Sequence, residues 1–138
     1  MSEANKAASM KLAEMFGGAD TSVAGQYIAE NAVDHQGVPG LDTNGVEGFQ
    51  RMVAFYRSAF PDMKAEVMAV IAEGDLVTMQ FHMTGTNTGV FMGMPATGKK
   101  IDIEGVDIMR FQDGKAVEHW GYLEEAKFMQ QLGLMPGA

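Results

Sequence analysis

Residues 101–123 read IDIEGVDIMRFQDGKAVEHWGYL, and this stretch decides the fold. Its first half alternates along the chain with a period of two, which is typical of a β-strand with one buried face. Turn-forming residues follow at 112–114, and residues 116–123 return as a second strand. The stretch therefore predicts a β-hairpin. One of its faces is apolar apart from Asp107 and carries Ile101, Ile103, Gly105, Met109 and Phe111.

The length of the hairpin loop decides which residues of the two strands oppose each other. A three-residue loop at 112–114 places Asp107 opposite His119, within the apolar face. A two-residue loop would place Asp107 opposite Trp120 and turn His119 to the other face. We favour the three-residue loop because it collects the apolar side chains on one face.

An Asp–His pair in apolar surroundings is a candidate acid–base site. The Asp107 carboxylate would favour the imidazolium form of His119, and burial would oppose it. We therefore expect a group that exchanges protons near neutral pH. The alternative is a structural hydrogen bond between the same two side chains.

Before this hairpin, the sequence changes from a helical period to a strand period near residue 63. An apolar stripe at helical spacing predicts a helix over residues 8–16. Thr21 or Ser22 can cap a second, short helix over residues 21–28. A third helix is predicted over residues 46–60. The further strand candidates are residues 67–72 and 76–84, and residues 124–131 can form a closing helical turn.

The order of these elements predicts the fold class. Helices followed by an antiparallel meander argue for an α+β fold, with the helices on one face of a curved sheet. At 138 residues the chain has the length of one domain, spanning 1–138.

The composition excludes several classes of function. Ten basic and eighteen acidic residues give a net charge of −8, which repels nucleic-acid backbones and anionic membrane surfaces. The absence of cysteine excludes disulfides and thiolate nucleophiles. No segment reaches ~18 uninterrupted apolar residues, and the first residues do not look like a signal peptide. We therefore expect a cytoplasmic protein without nucleic-acid or membrane partners. The thirteen methionines suit either a cavity for apolar ligands or a loosely specified core.

The three histidines, His35, His82 and His119, are the main groups able to exchange protons near neutral pH in this cysteine-free chain. None has the HExxH or HxH spacing of a metal site, so we predict no metal. His35 lies before a Gly-Pro loop, a common place for a residue at a pocket mouth, although a surface role is the alternative. His82 lies in a strand on a face that looks solvated. Tyr27 and Tyr56 fall on apolar helix faces, where core packing is the alternative to ligand contact.

Six stretches, taken together and in order, resemble the SnoaL-like polyketide cyclases, also called predicted ester cyclases. The resemblance extends from Val33 to Pro136, and the element RFxDGKxxEHW is its most specific part. The stretches are VDHQGVPG, AFPDM, AEGDLV, GTNTGVFMGMPATGKK, GVDIMRFQDGKAVEHW and QQLGLMP.

This resemblance implies a cone-shaped fold like that of nuclear transport factor 2. In such a fold, a strongly bent antiparallel sheet and N-terminal helices enclose a pocket, commonly in a homodimer. It also implies a small hydrophobic or polyketide-like ligand and an acid–base catalysed aldol closure without a cofactor. Relatives often carry a carboxylate directly after the EHW tryptophan, where this chain has Gly121. Others carry one that is matched here by Glu124, and the family's GTH element ends here in Asn87.

These observations together define the expected site. The candidate catalytic residues are Asp107, His119, His35 and Glu124. The candidate substrate contacts are Tyr27, Tyr56, Phe81, Met109, Phe111 and Asn87.

Three hypotheses about function remain open. The leading one is a lyase or isomerase that uses this acid–base pair. The second is a non-catalytic small-molecule-binding protein of the same fold, and the third is a dimerisation module. In each case we expect a homodimer formed through the outer face of the sheet. That face carries Val106, Ile108, Trp120 and Tyr122.

Overall fold

The chain order of helices and strands follows the change in sequence period. The structure, a computed structural model, describes residues 2–134, so Met135 and Pro136 of the last resembling stretch lie outside it. The helices are α1 (Ser2–Phe16), α2 (Gly45–Ala59) and α3 (Glu125–Leu132), with a 3₁₀ helix at Thr21–Gln26. The strands are β1 (Ile28–Asp34), β2 (Lys64–Glu73), β3 (Leu76–Thr86), β4 (Lys100–Gln112) and β5 (Lys115–Leu123).

The strands form one curved, unclosed sheet in the order β1-β5-β4-β3-β2. Strands β2 to β5 are the predicted antiparallel meander, and the predicted α+β class is confirmed. Strand β1 was not predicted, and it pairs with β5 in parallel. Its sequence shows no clean alternation because Glu30 and Asn31 are both exposed and the pairing register shifts between Ile28 and Val33.

The second predicted helix is shorter than expected and is of the 3₁₀ type. It is capped by Asp20, whose side chain accepts the backbone N–H of Ser22 at 2.9 Å, and not by Thr21 or Ser22. Ile28, which we assigned to this helix, begins β1. The prediction failed because the spacing of a short apolar run is compatible with both a helix and a strand.

The core lies between the concave face of the sheet and the helices. Helix α1 packs on β2 and β3, α2 on β1, and α3 on β4. The face of β4 that the sequence predicted to be apolar is buried. Its large side chains Ile101, Ile103, Met109 and Phe111 are at most 7% exposed. Within residues 2–134, no helix is long and apolar enough to cross a membrane.

The β4–β5 hairpin has a different register from the one we favoured. Its turn has two residues, Asp113 and Gly114, which both adopt positive φ (52° and 82°). With such a turn alone, His119 would face away from the core. However, Val117 forms a β-bulge in β5, and beyond it Met109 pairs with His119 and Asp107 with Gly121. The bulge thus returns His119 to the face that bears Asp107, although the two residues are diagonal neighbours rather than opposite ones.

Candidate active site

A cavity of about 100 Å³ lies between the concave face of the sheet and helices α1 and α2. Its wall is mostly apolar, and it includes the side chains Phe16, Phe49, Met52, Met79, Phe81, Met83 and Met109. Phe16 and Phe49 meet edge to face with ring centroids 5.7 Å apart. The polar residues of the wall include Asp34, Gln36, Thr43, Tyr56, Asp107, Glu118 and His119. The cavity is therefore suited to an apolar ligand with a few oxygen atoms.

A chain of three ionisable side chains lies in the wall of this cavity. His119 Nε2 is 2.8 Å from Asp107 Oδ1, and its Nδ1 is 2.9 Å from Asp34 Oδ1. The predicted Asp107–His119 contact is therefore present, with a second carboxylate on the other side of the ring. Asp34 reaches this position because the last residue of β1 pairs with His119 across the edge of the sheet.

The two carboxylates determine the protonation state of the histidine. Burial by itself lowers the pKa of His119. The hydrogen bonds with Asp107 and Asp34 outweigh it and raise that pKa to about 9. Burial also raises the pKa of Asp34, but hydrogen bonds from His119, the Thr43 side chain and the Gln36 backbone hold it below its usual value. At neutral pH His119 is therefore an imidazolium that donates from both nitrogens. One carboxylate alone would leave the pKa of His119 near neutrality, as the sequence predicts. The second carboxylate moves this pKa above the neutral range.

Three of the predicted substrate contacts line the cavity: Tyr56, Phe81 and Met109. Burial, followed by the negative charges of Glu125 and Asp107, raises the pKa of Tyr56 to about 12. Its hydroxyl therefore stays protonated and can donate a hydrogen bond at any physiological pH.

His35 lies outside the cavity, contrary to our expectation of a residue at its mouth. Its ring stacks on Trp120 with centroids 5.0 Å apart, and its Nε2 is 2.9 Å from Glu118 Oε2. Glu118 also accepts from Arg110 Nε at 3.1 Å. His35 follows the edge strand β1, and its backbone N–H donates to the carbonyl of His119. Successive strand residues point to opposite faces, so Asp34 faces the cavity and His35 does not.

Glu124 and Asn87 are also engaged elsewhere. Glu124 follows the cavity residue Leu123, is half exposed, and accepts the backbone N–H of Glu104 at 2.7 Å. Asn87 is 1% exposed. Its amide donates to the Gly89 and Ala59 carbonyls and accepts from the Thr97 backbone N–H and hydroxyl. Asn87 therefore organises the loop before β4 and has no capacity left for a ligand.

Tyr27 and Phe111 belong to the core and not to the cavity wall. Phe111 is 4% exposed, and Tyr27 is partly buried against the same apolar cluster. Both side chains pack in the core, and neither lines the cavity. Both lie near the turn end of the β4–β5 hairpin: Phe111 pairs with Ala116, and the Tyr27 carbonyl accepts the N–H of that alanine.

Sequence reasoning missed Asp34, Gln36 and Thr43. All three lie in the segment VDHQGVPGLDTNG, residues 33–45, whose turn-forming residues break any helix or strand periodicity. Two of them had a signal in their position, since Asp34 and Gln36 flank the candidate residue His35, whereas Thr43 had none. Alternation along a strand edge would have distinguished them from His35, but only if β1 had been predicted.

The remaining histidine, His82, lies on the outer face of the sheet. It hydrogen-bonds to Asp102, which raises the pKa of the imidazole. Within residues 2–134, no group of three or more His, Asp or Glu side chains could hold a metal ion.

The curved sheet and the helices that enclose its concave face define a protein of the cone-shaped α+β class, with an apolar cavity that has a polar wall. The family model described as SnoaL-like polyketide cyclase matches residues 6–132, and the chain belongs to this family.

Sequence relatives within the family have names that specify their reactions. Aklanonic acid methyl ester cyclase DauD from Streptomyces sp. (strain C5) is 28% identical over 109 residues, which cover 78% of this chain and 65% of DauD. The chain thus spans just under two thirds of that relative. Nogalonic acid methyl ester cyclase from Streptomyces nogalater is 27% identical over 108 residues, which cover 78% of this chain and 77% of that protein.

Solved structures of the same shape confirm the predicted fold. AclR from Streptomyces galilaeus superposes with a TM-score of 0.82 at 26% identity, covering 100% of this chain and 86% of AclR. IdmH from Streptomyces antibioticus superposes with a TM-score of 0.79 at 31% identity, covering 94% of this chain and 98% of IdmH.

Proposed function

We propose that this protein closes a ring in a polyketide-like methyl ester by an acid–base catalysed, intramolecular aldol reaction without a cofactor, with Asp107 as the base. The observation that carries the proposal is the hydrogen-bonded chain Asp34–His119–Asp107 in the wall of an apolar cavity. The names of the relatives support the substrate class, because they are cyclases of methyl esters.

The proposed reaction conserves protons and electrons. The Asp107 carboxylate removes a proton from a carbon that is flanked by carbonyl groups, and the electron pair of the C–H bond moves into an enolate. The enolate carbon then attacks a carbonyl carbon of the same molecule and forms the C–C bond. The resulting alkoxide takes the proton back from Asp107. Since no electron is gained or lost, the residues of the protein are sufficient for this chemistry.

The geometry favours Asp107, and not His119, as the group that exchanges the proton. Both ring nitrogens of His119 are engaged by carboxylates, whereas Asp107 receives the ring through Oδ1 only. Among residues 2–134, no group donates a hydrogen bond to Oδ2 of Asp107, so this oxygen is available to the substrate. His119 is then a positioning residue: it holds the carboxylate in one orientation and supplies positive charge beside the developing anion.

The apolar wall contributes in two ways. It excludes water from the enolate, and flexible methionine side chains adapt to the shape of the substrate. We assign to Phe81 and Met109 the contact with the carbon skeleton, and to the Tyr56 hydroxyl a hydrogen bond to the new alkoxide. Tyr56 lines the same cavity as Asp107 and remains neutral, which is what such a donor requires.

A non-catalytic binding protein of the same fold is the second candidate. Its support is that two of the four expected catalytic residues, His35 and Glu124, do not line the cavity and hydrogen-bond to other residues of the protein. This candidate predicts that the protein binds a methyl ester substrate and releases it unchanged.

The decisive variant is Asp107→Asn, which keeps the shape of the side chain and removes the base. We expect conversion of aklanonic acid methyl ester to fall by roughly 10²–10⁴-fold, the usual effect of losing a general base. Asp102→Asn is the matched control, because it removes the carboxylate from the Asp–His pair on the outer face. Tight binding of the ester by the wild type without any conversion would instead support the binding protein.

The same variant tests the pairing by NMR, with no substrate present. Asp107→Asn should lower the pKa of His119 from about 9, because the imidazolium loses one of its two counter-charges. The Asp102→Asn control should leave that titration unchanged. An unaltered His119 titration in Asp107→Asn would contradict the proposed site.

A further inference from the structure

Gly121 lies in β5 directly opposite Asp107, and its missing side chain leaves space that another residue fills. A Cβ atom built on Gly121 would lie 2.1 Å from Gln36 Oε1 and 2.6 Å from its Cδ. The same atom would lie 3.1 Å from Asp107 Oδ1. The amide of Gln36 therefore occupies the volume that a side chain at position 121 would need, next to the proposed base.

The backbone of Gln36 is fixed to the hydrogen-bonded chain of the site. Its N–H donates to Asp34 Oδ1 at 3.0 Å, and the same oxygen receives Nδ1 of His119 at 2.9 Å. The side chain of Gln36 has no such constraint, because its amide forms no hydrogen bond with any other residue among residues 2–134. Because Oε1 lies against Gly121, the –NH₂ half of the amide is turned away from this glycine, and Gln36 lines the cavity.

Most other polar groups of the cavity wall are already engaged. Both nitrogens of His119 contact carboxylates, and the Thr43 side chain hydrogen-bonds to Asp34. Glu118 is negatively charged and paired with Arg110. Two hydrogen-bond donors of the cavity wall, within residues 2–134, thus remain free to contact a ligand: the amide of Gln36 and the hydroxyl of Tyr56.

We propose that Gln36 is the residue that binds the enolate oxygen. This inference rests on the proposed function. When Asp107 removes the proton from carbon, negative charge moves to the oxygen of the neighbouring carbonyl group, two bonds away. A donor that stabilises this charge must lie beside the base. The side-chain amide of Gln36 fills the space at Gly121, directly opposite Asp107, and its –NH₂ group carries the donors that this role needs. The substrate class is accordingly a carbon acid with a carbonyl group next to the reacting carbon, and the glycine at position 121 admits the amide.

Gln36→Leu tests this role because it keeps the size of the side chain and removes both polar atoms. With aklanonic acid methyl ester as the probe, we expect kcat to fall by about 10²–10³-fold, the usual effect of losing one such donor, with KM changed only a few-fold. Uptake of deuterium at the activated carbon in ²H₂O should fall equally, since enolate formation is the step affected. Gln130→Leu, which makes the same change on an exposed face of α3, should leave both rates unchanged.

A second variant and a spectroscopic measurement keep the test decisive if Gln36→Leu folds poorly. Gln36→Met has similar length and flexibility, and it should show the same loss of kcat. In Asp107→Asn, binding of the ester should shift the side-chain ¹⁵N–¹H₂ resonances of Gln36 and not those of Gln130.

The outcomes separate this inference from the proposed function. A fully active Gln36→Leu or Gln36→Met variant, together with an inactive Asp107→Asn variant, overturns the role of Gln36 alone. Unshifted Gln36 resonances in the ester complex also overturn it. Full activity in Asp107→Asn overturns the proposed function, and the role of Gln36 falls with it.

Discussion

At the scale of single residues, the protonation of His119 is the central feature of the site. Burial lowers the pKa of an imidazole, and a neighbouring carboxylate raises it. With one carboxylate the two effects compete, whereas the two carboxylates beside His119 outweigh burial and favour the imidazolium form. A histidine that is charged at neutral pH and bonded at both nitrogens orients and stabilises other groups. We therefore propose Asp107, which uses only one oxygen for the ring, as the group that exchanges a proton with a substrate.

The raised pKa of His119 makes the stability of the fold depend on pH. Its value is about 9 in the folded protein against an ordinary value of 6.5, so below pH 6.5 the contribution to the free energy of unfolding is complete. Between pH 6.5 and 9 we expect it to disappear, with a total loss on the order of 3 kcal/mol. Urea unfolding from pH 6 to 9.5 measures it. His119→Gln should remove most of this dependence, and His82→Gln, at the exposed pair, should preserve it.

At the scale of elements, the β4–β5 hairpin determines which side chains reach the cavity. A two-residue turn and the bulge at Val117 act together: the turn alone would direct His119 outward, and the extra residue reverses this. Strand β1 adds Asp34 from the sheet edge. Two irregularities of the sheet, the bulge in β5 and the shifted register of β1, therefore assemble the three ionisable residues.

The hairpin turn provides a test at this scale. Gly114 has a φ of 82°, and no atom lies within 4 Å of the position that a Cβ would take there, so Gly114→Ala adds backbone strain without a clash. We expect the free energy of unfolding to fall by about 1 kcal/mol. Gly25→Ala is the control, because that glycine has no positive φ and its new carbon would lie 3.9 Å from Val46. Equal effects of the two changes would show that the turn is not under this conformational constraint.

At the scale of the whole molecule, the sheet separates an apolar cavity from an outer face that carries apolar residues among charges. On that face Val106, Ile108 and Trp120 are partly exposed, and Tyr122 is 61% exposed. Apolar side chains grouped on one exposed face of a sheet are typical of protein–protein interfaces. The outer face therefore remains our predicted homodimer interface.

Sedimentation at micromolar concentration tests this prediction. We expect a species of twice the 14.9 kDa chain mass for the wild type, and a monomer for Tyr122→Glu, because burying a carboxylate in the interface costs more than the contact contributes. Val90→Glu is the matched control, since Val90 is 64% exposed but lies in the loop before β4. A wild type that sediments only at 14.9 kDa would contradict the homodimer.

The sequence by itself determined the α+β order of elements, the buried face of β4 and the presence of Asp107 on it, and its ordered stretches indicated the family. These features follow from side-chain periodicity, which depends on residues a few positions apart. The tertiary structure decided the rest: the pairing of Asp34 with His119, 85 residues away, the bulge that turns His119 inward, and the outward position of His35. Pairing register and facing depend on contacts between distant segments, and a one-residue change reverses the face of every side chain that follows.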